Sequence, residues 1–132
     1  MLADLLLAAL GNERLPEKIP IVGVYRAFWE LKCEGKYSDL LDAVHFVEGP
    51  TVPISEELER ALFRFCSSGL GTVDNPDFRY LRIDTDKRAV MTEVVKRHLT
   101  DANGLERVRQ LSEEFRQKVS ATEAGHHANI TL

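Results

Sequence analysis

Three features of the chain predict a mainly helical domain carrying one small β-hairpin. Apolar residues recur at helical spacing in about five stretches between Leu2 and Val119. Ser55 followed by Glu56, Glu57 and Glu59 has the composition of a helix start, because a side-chain oxygen and negative charge both satisfy the free amides of a first turn. The turn cluster Asp74-Asn75-Pro76-Asp77 precedes a run in which Phe78 and Tyr80 share one face and Leu81 and Ile83 the other, which is the pattern of a hairpin.

Taken in order, Leu2 to Leu10 reads as a short helix with Leu2, Leu5, Leu6, Ala9 and Leu10 turned inward. Residues 11–20, GNERLPEKIP, read as a linker, and Pro20 suits the first position of the next helix, where its missing N–H costs nothing. Ile21 to Cys33 is the most apolar helix. Ile21, Val24, Tyr25 and Phe28 form its main stripe and Val22, Trp29 and Leu31 widen it, which predicts a place at the centre of the fold. Gly35 ends it. Leu40, Leu41, Val44 and Phe46 suggest a short second helix passing into an extended piece, and Pro50 and Pro53 break regular structure.

In the Ser55 helix, Leu58, Ala61, Leu62 and Phe65 form a stripe with Cys66 at its margin, and Gly69 supplies a left-handed stop. Asp84 or Thr85 caps a further helix whose Val90, Met91, Val94, Val95, His98 and Leu99 share a broad face, and Thr100 to Gly104 reads as its stop. Leu105 to Val119 is amphipathic, with Leu105, Val108, Leu111, Phe115 and Val119 on one side. That side docks on its own core or pairs with a second copy, so a homodimer through Leu105 to Val119 stands as one expectation.

The composition, 44% hydrophobic and 29% charged, fits one soluble domain over residues 1–120 with a flexible tail at 121–132. A net charge of −4 gives the whole chain no electrostatic case for strong binding to nucleic acid or an anionic membrane. Only residues 85–132, with 8 basic against 7 acidic groups, rise above neutrality. Cys33 and Cys66 stand alone inside apolar patterns, which points to a reducing cytoplasm. The apolar start has no basic lead, contains Asp4 and is too short to span a bilayer.

Helix, short helix, capped helix, hairpin and further helix is the order of a winged helix, here with about five helices and a two-stranded wing. Within it, Phe46-x-x-Gly49-Pro50, Ser55-x-x-Leu58-x-x-Ala61-Leu62-x-x-Phe65 and Gly69-Leu70-x-x-Val73 resemble the pattern of the Panacea-type, SocA-like antitoxin domain over residues 20–84. Val47 and Glu48 separate the aromatic from Gly-Pro, and Val52-Pro53 is an insertion before the helix. The resemblance implies a bacterial domain that binds a protein such as a toxin or a protease component, with no catalytic residues.

The outward side of the capped helix presents Glu59, Arg60, Phe63 and Ser67, the composition of a protein-binding patch. Phe63 lies about 140° from the main stripe; it is exposed unless a terminal helix covers it, and such cover is the plainer expectation. Arg79 and Arg82 in the wing, with Lys87 and Arg88 beyond, are the candidate contacts to nucleic acid. The acidic first turn suits a phosphate backbone poorly. His98 has Asp101 or Cys66 as conceivable partners, His45 has no motif around it, and His126-His127 lacks further ligands at metal-binding spacing. A Cys66–His98 nucleophile lacks an orienting third group. The sequence therefore predicts no catalytic residues, metal or cofactor. It predicts a non-enzymatic protein-binding or adaptor module of the bacterial cytoplasm, antitoxin-like on the resemblance. The alternative is a winged-helix regulator that binds DNA as a dimer.

Overall fold

The computed structural model describes the backbone of residues 2–74 and 79–131 and the side chains of residues 2–74 and 79–121. Among the described residues six helices and three short strands follow one another: α1 (Leu2–Leu10), β1 (Lys18–Pro20), α2 (Ile21–Glu34), α3 (Ser38–Leu41), α4 (Glu56–Ser67), β2 (Gly71–Val73), β3 (Tyr80–Ile83), α5 (Arg88–His98) and α6 (Ala102–Thr131). The fold is mainly helical with a small antiparallel sheet, as the periodicities predict. Val47 and Ile54 pair across the proline-broken segment, closing it as a loop.

The sheet has one strand more than the expected hairpin. Its order is β1-β3-β2, with Ile19 opposite Leu81 and Val73 also opposite Leu81. The first strand lies in the run read as a linker, where three residues are too few to show an alternation. Pro20 ends that strand rather than beginning α2, and an edge strand tolerates a residue without an N–H. The next amide, that of Ile21, donates to the Arg79 carbonyl at 2.9 Å and ties the start of α2 to the sheet. The turn from Asn75 to Phe78 lies outside the described residues.

The centre of the fold is α1, not α2. α1 packs on α4, α5 and α6, and its Leu5, Leu6, Ala9 and Leu10 are all buried. α2 rests on α6, where the Phe28 and Phe115 rings lie 5.0 Å apart, and it leaves Val22 and Trp29 45% and 36% exposed. Helical periodicity reports how apolar a helix is; it does not report how many neighbours surround it. The stripe of α6 closes the core from the opposite side, since Val108, Leu111, Phe115 and Val119 are buried. The expected dimer contact through Leu105 to Val119 is thus engaged within one chain. Each such side chain contributes roughly 1.5–3 kcal/mol when withdrawn from water.

Several local expectations shift for identifiable reasons. Asp101 accepts from the Asn103 and Gly104 amides, so Thr100 to Gly104 opens α6 instead of merely closing α5. α6 runs on to Thr131; of the tail expected at 121–132, the side chains from residue 122 on lie outside the described set. α5 buries Met91 and Val95 but leaves Val90 56% exposed, a narrower face than its periodicity suggests. No helix among the described residues is long and apolar enough to cross a membrane.

The segment between α1 and β1 is held by one buried side chain. Arg88, 5% exposed, donates through Nη1 to the carbonyls of Asn12 (2.9 Å), Glu13 (3.1 Å) and Leu15 (2.7 Å), and through Nη2 to that of Pro16 (3.1 Å). Burial pulls its pKa down from the usual arginine value, opposed by the charges of Glu17 and Glu13, yet a guanidinium stays protonated at any ordinary pH. Replacing it with an apolar chain removes one donor from four carbonyls, of which that of Leu15 is buried and that of Asn12 keeps the Leu15 amide. Arg88→Met is expected to lower stability by about 3 kcal/mol, read as a lower urea midpoint, and Arg88→Lys to recover little because an ammonium lacks the planar fork.

Candidate binding face

α4 is built to present one face. The Ser55 hydroxyl accepts from the Leu58 amide at 3.2 Å, the cap that the sequence predicts. The Glu57 carboxylate turns back to accept from the His45 amide at 2.7 Å, a bond that holds its carboxyl below the ordinary carboxylate range. Together these pin the first turn to the preceding loop. Leu58, Ala61 and Phe65 face α1 and β2, and Gly69 (φ 81°) closes the helix in the left-handed region where a side chain would be strained. At Gly71 a Cβ would sit 2.7 Å from the Phe65 ring and 2.8 Å from the Arg82 carbonyl. Glycine therefore lets the helix lie this close to the strand.

The opposite side of α4 is open, and it carries the four residues singled out from the sequence. Glu59, Arg60, Phe63 and Ser67 are all exposed, with Phe63 at 74%. The expected cover by a terminal helix is absent because α1 and α6 both lie on the inner side of the fold. Arg60 pairs with Glu56 one turn back at 3.4 Å. At the edge of the face, burial raises the Tyr25 phenol pKa and the Glu59 charge adds to the rise.

The four basic residues of the wing do not converge. Arg79 is exposed. Arg82 lies 4.0 Å from Glu17 and 3.9 Å from Asp74. Lys87 donates to the Gly69 carbonyl at 2.7 Å, serving the end of α4, and lies 3.5 Å from Asp84. Arg88 is buried on carbonyls, so it leaves the set of surface contacts. Sequence proximity could not reveal this, because the carbonyls that hold Arg88 are more than seventy residues away along the chain.

The histidines and cysteines do not form a reactive group among the described residues. His98 meets Asp4 at 2.7 Å, rather than Asp101 or Cys66. Burial pushes the Cys66 thiol pKa up, away from the thiolate that a nucleophile needs. His45 lies 3.6 Å from Glu57. Among the described residues no group of three His, Cys, Asp or Glu side chains could hold a metal ion. A surface cleft of about 650 Å3 lies where the end of α1 meets α5 and α6. Its Asn12, Arg14, Ser112 and Glu113 are already bonded to one another.

One polar cluster gave no signal in the sequence. Tyr37 is fully buried beneath α6 and donates to the Glu114 carboxylate, which also accepts from Lys36 at 2.9 Å. Arg107 stacks 5.0 Å from the Tyr37 ring and pairs with Asp39. Burial pushes the Tyr37 phenol pKa well up, and the Glu114 bond adds to it. Burial also pushes Glu114 up, but hydrogen bonds from Tyr37 and Lys36 outweigh it and hold that carboxyl below its usual range. The Arg107 bond lowers Asp39 in the same way.

Comparison of the chain with protein-family models, curated proteins and solved structures finds no match.

The depressed carboxylates contribute stability above their unfolded pKa, about 4, that is lost as pH falls through their lower folded values. The raised phenol contributes stability below its unfolded pKa, about 10, that declines as pH rises from there toward its folded value. Urea midpoints are expected to be flat through neutrality and to fall on both sides. Tyr37→Phe should shallow the alkaline limb and lower the stability at neutral pH by about 1.5–3 kcal/mol, the worth of a hydrogen bond to a charged group, read as a lower urea midpoint.

Proposed function

We propose that this chain is a non-enzymatic protein-binding or adaptor module that engages a partner protein through the outer face of α4. The observation that carries the reading is Phe63, 74% exposed on a helix whose other large apolar residues are buried or half-buried. Glu59, Arg60 and Ser67 beside it supply the polar rim around an apolar anchor that is usual at protein interfaces. Closing that ring against a partner is worth roughly 1.5–3 kcal/mol, enough for a tenfold or larger share of an affinity. The order of helices and strands, with β1 completing the sheet beside the hairpin, supports a winged-helix-like architecture. Together with the resemblance to Panacea-type domains it favours a regulatory, antitoxin-like role in the bacterial cytoplasm.

The DNA-binding alternative draws on the same order of elements, with α4 as the helix that would enter a groove. Against it stand the acidic residues Glu56 and Glu59 on the exposed face and the engagement of Arg82, Lys87 and Arg88 within the fold. The exposed cations left on the sheet, Lys18, Arg79 and Arg82, have Glu17 and Asp74 beside them, which reduces the positive charge offered to a phosphate backbone.

The test is an affinity capture from the cognate lysate, with and without nuclease, comparing the unsubstituted chain with Phe63→Ala. A protein retained after nuclease and reduced about tenfold or more by Phe63→Ala, at an unchanged urea midpoint, is the expected result. Equal recovery by both chains would remove α4 as the binding face. Recovery of DNA alone, with steep salt dependence, would promote the regulator.

A further inference from the structure

Small residues on three helices, Ala8, Thr92 and Ser112, leave room for the cleft of about 650 Å3 where the end of α1 meets α5 and α6, a size usual for small-molecule sites. Ala8 and Leu105, both half-buried, form an apolar floor over the buried Val95 and Val108. The neutral polar side chains around it have their donors committed within the fold. Asn12 Nδ2 donates to the Ser112 hydroxyl at 3.1 Å, Ser112 Oγ to the Ala8 carbonyl at 2.8 Å, and Thr92 Oγ1 to the Arg88 carbonyl at 3.1 Å. The two acids of the lining are engaged as well. Glu113 accepts from Arg116 at 2.6 Å and from Arg14 at 3.2 Å, and the Glu13 charge acts on the buried Arg88. Lys96 of α5 and Arg109 of α6 differ. Each is exposed on one helical wall of the cleft, and their pairs with Glu93 and Glu106 on their own helices, at 3.8 and 3.7 Å, are longer than hydrogen bonds.

We propose that this cleft binds a small organic acid, an apolar body bearing one carboxylate, with the body on Ala8 and Leu105 and the carboxylate between Lys96 and Arg109. Charge complementarity selects that class. A neutral polar ligand meets donors already committed, and a wholly apolar one would withdraw two cations from water without giving them a partner. A ligand of several negative charges would press the excess against an apolar floor. One carboxylate offers two oxygens, which the planar fork of Arg109 and the point charge of Lys96 can share. The cleft lies on other elements than α4, so this site and the Phe63 face stand or fall independently.

Calorimetric titration and amide chemical-shift mapping of the full chain with naphthoate, its neutral carboxamide and acetate test the proposal. Naphthoate is expected to bind at a single site with a dissociation constant below about 1 mM, shifting the amides of Gly11, Lys96, Leu105 and Arg109. The carboxamide, which lacks the charge, and acetate, which lacks the body, should each bind about tenfold or more weakly. Lys96→Gln combined with Arg109→Gln should weaken naphthoate by about tenfold at an unchanged urea midpoint, and Phe63→Ala should leave it unaltered. The comparison of the three compounds on the unsubstituted chain decides the charge requirement without relying on any variant. No binding of naphthoate at millimolar concentration, equal binding of its carboxamide, shifts confined to residues outside the cleft, or a folded double variant that binds as the unsubstituted chain does would overturn the proposal.

Discussion

The arrangement of this fold depends on the placing of one guanidinium. Arg88 gathers four carbonyls from the segment between α1 and β1, and that segment decides where the first strand meets the hairpin. Position then passes along the chain: β1 pairs with β3, the amide after β1 bonds the Arg79 carbonyl, and α2 starts at that point. A neutral side chain with fewer donors would leave some of those carbonyls, the buried one of Leu15 among them, short of a partner. The cost of burying the charge is offset by the number of bonds and by Glu13 and Glu17 nearby.

A second constraint is the seam along α6. Its apolar stripe is flanked by charged residues that reach neighbouring segments: Glu113 to Arg14, Glu114 to Lys36 and Tyr37, Arg107 to Asp39, and Lys118 to Glu34. Exposed pairs of this kind contribute little individually. Their use here is orientation, because they fix the rotation of a helix whose apolar contacts alone would tolerate some sliding. Tyr37 differs from the rest in being buried, so its bond to Glu114 is protected from competing water.

What was legible in the sequence was local. Ser55 as a cap, Gly69 as a stop, the inward stripe of α1 and the alternation of Leu81 and Ile83 all follow from residues within a few positions of each other. What was not legible involved partners far along the chain. The strand at Lys18–Pro20 exists because β3 accepts it, and Arg88 looks like any surface arginine until the carbonyls around it are seen. The central place of α1 was hidden by its length, since a nine-residue helix of Leu and Ala around Asp4 offers less apolar surface than the aromatic-rich α2. The candidate face lay between these cases: its composition was readable, but whether Phe63 was covered depended on where the terminal helices went.

The packing of α1 between α4, α5 and α6 also bears on how the chain acquires its structure as it is made. α1 leaves the ribosome before α4, α5 and α6, so its apolar face waits for partners that are translated after it. Until then Leu5, Leu6 and Leu10 lack their final neighbours, and the Leu-rich segment is exposed to other hydrophobic surfaces. Asp4, which ends up against His98 of α5, places one charge within that segment during the interval. The architecture thus makes completion of the core a late, long-range event instead of a stepwise growth from the first helix outward.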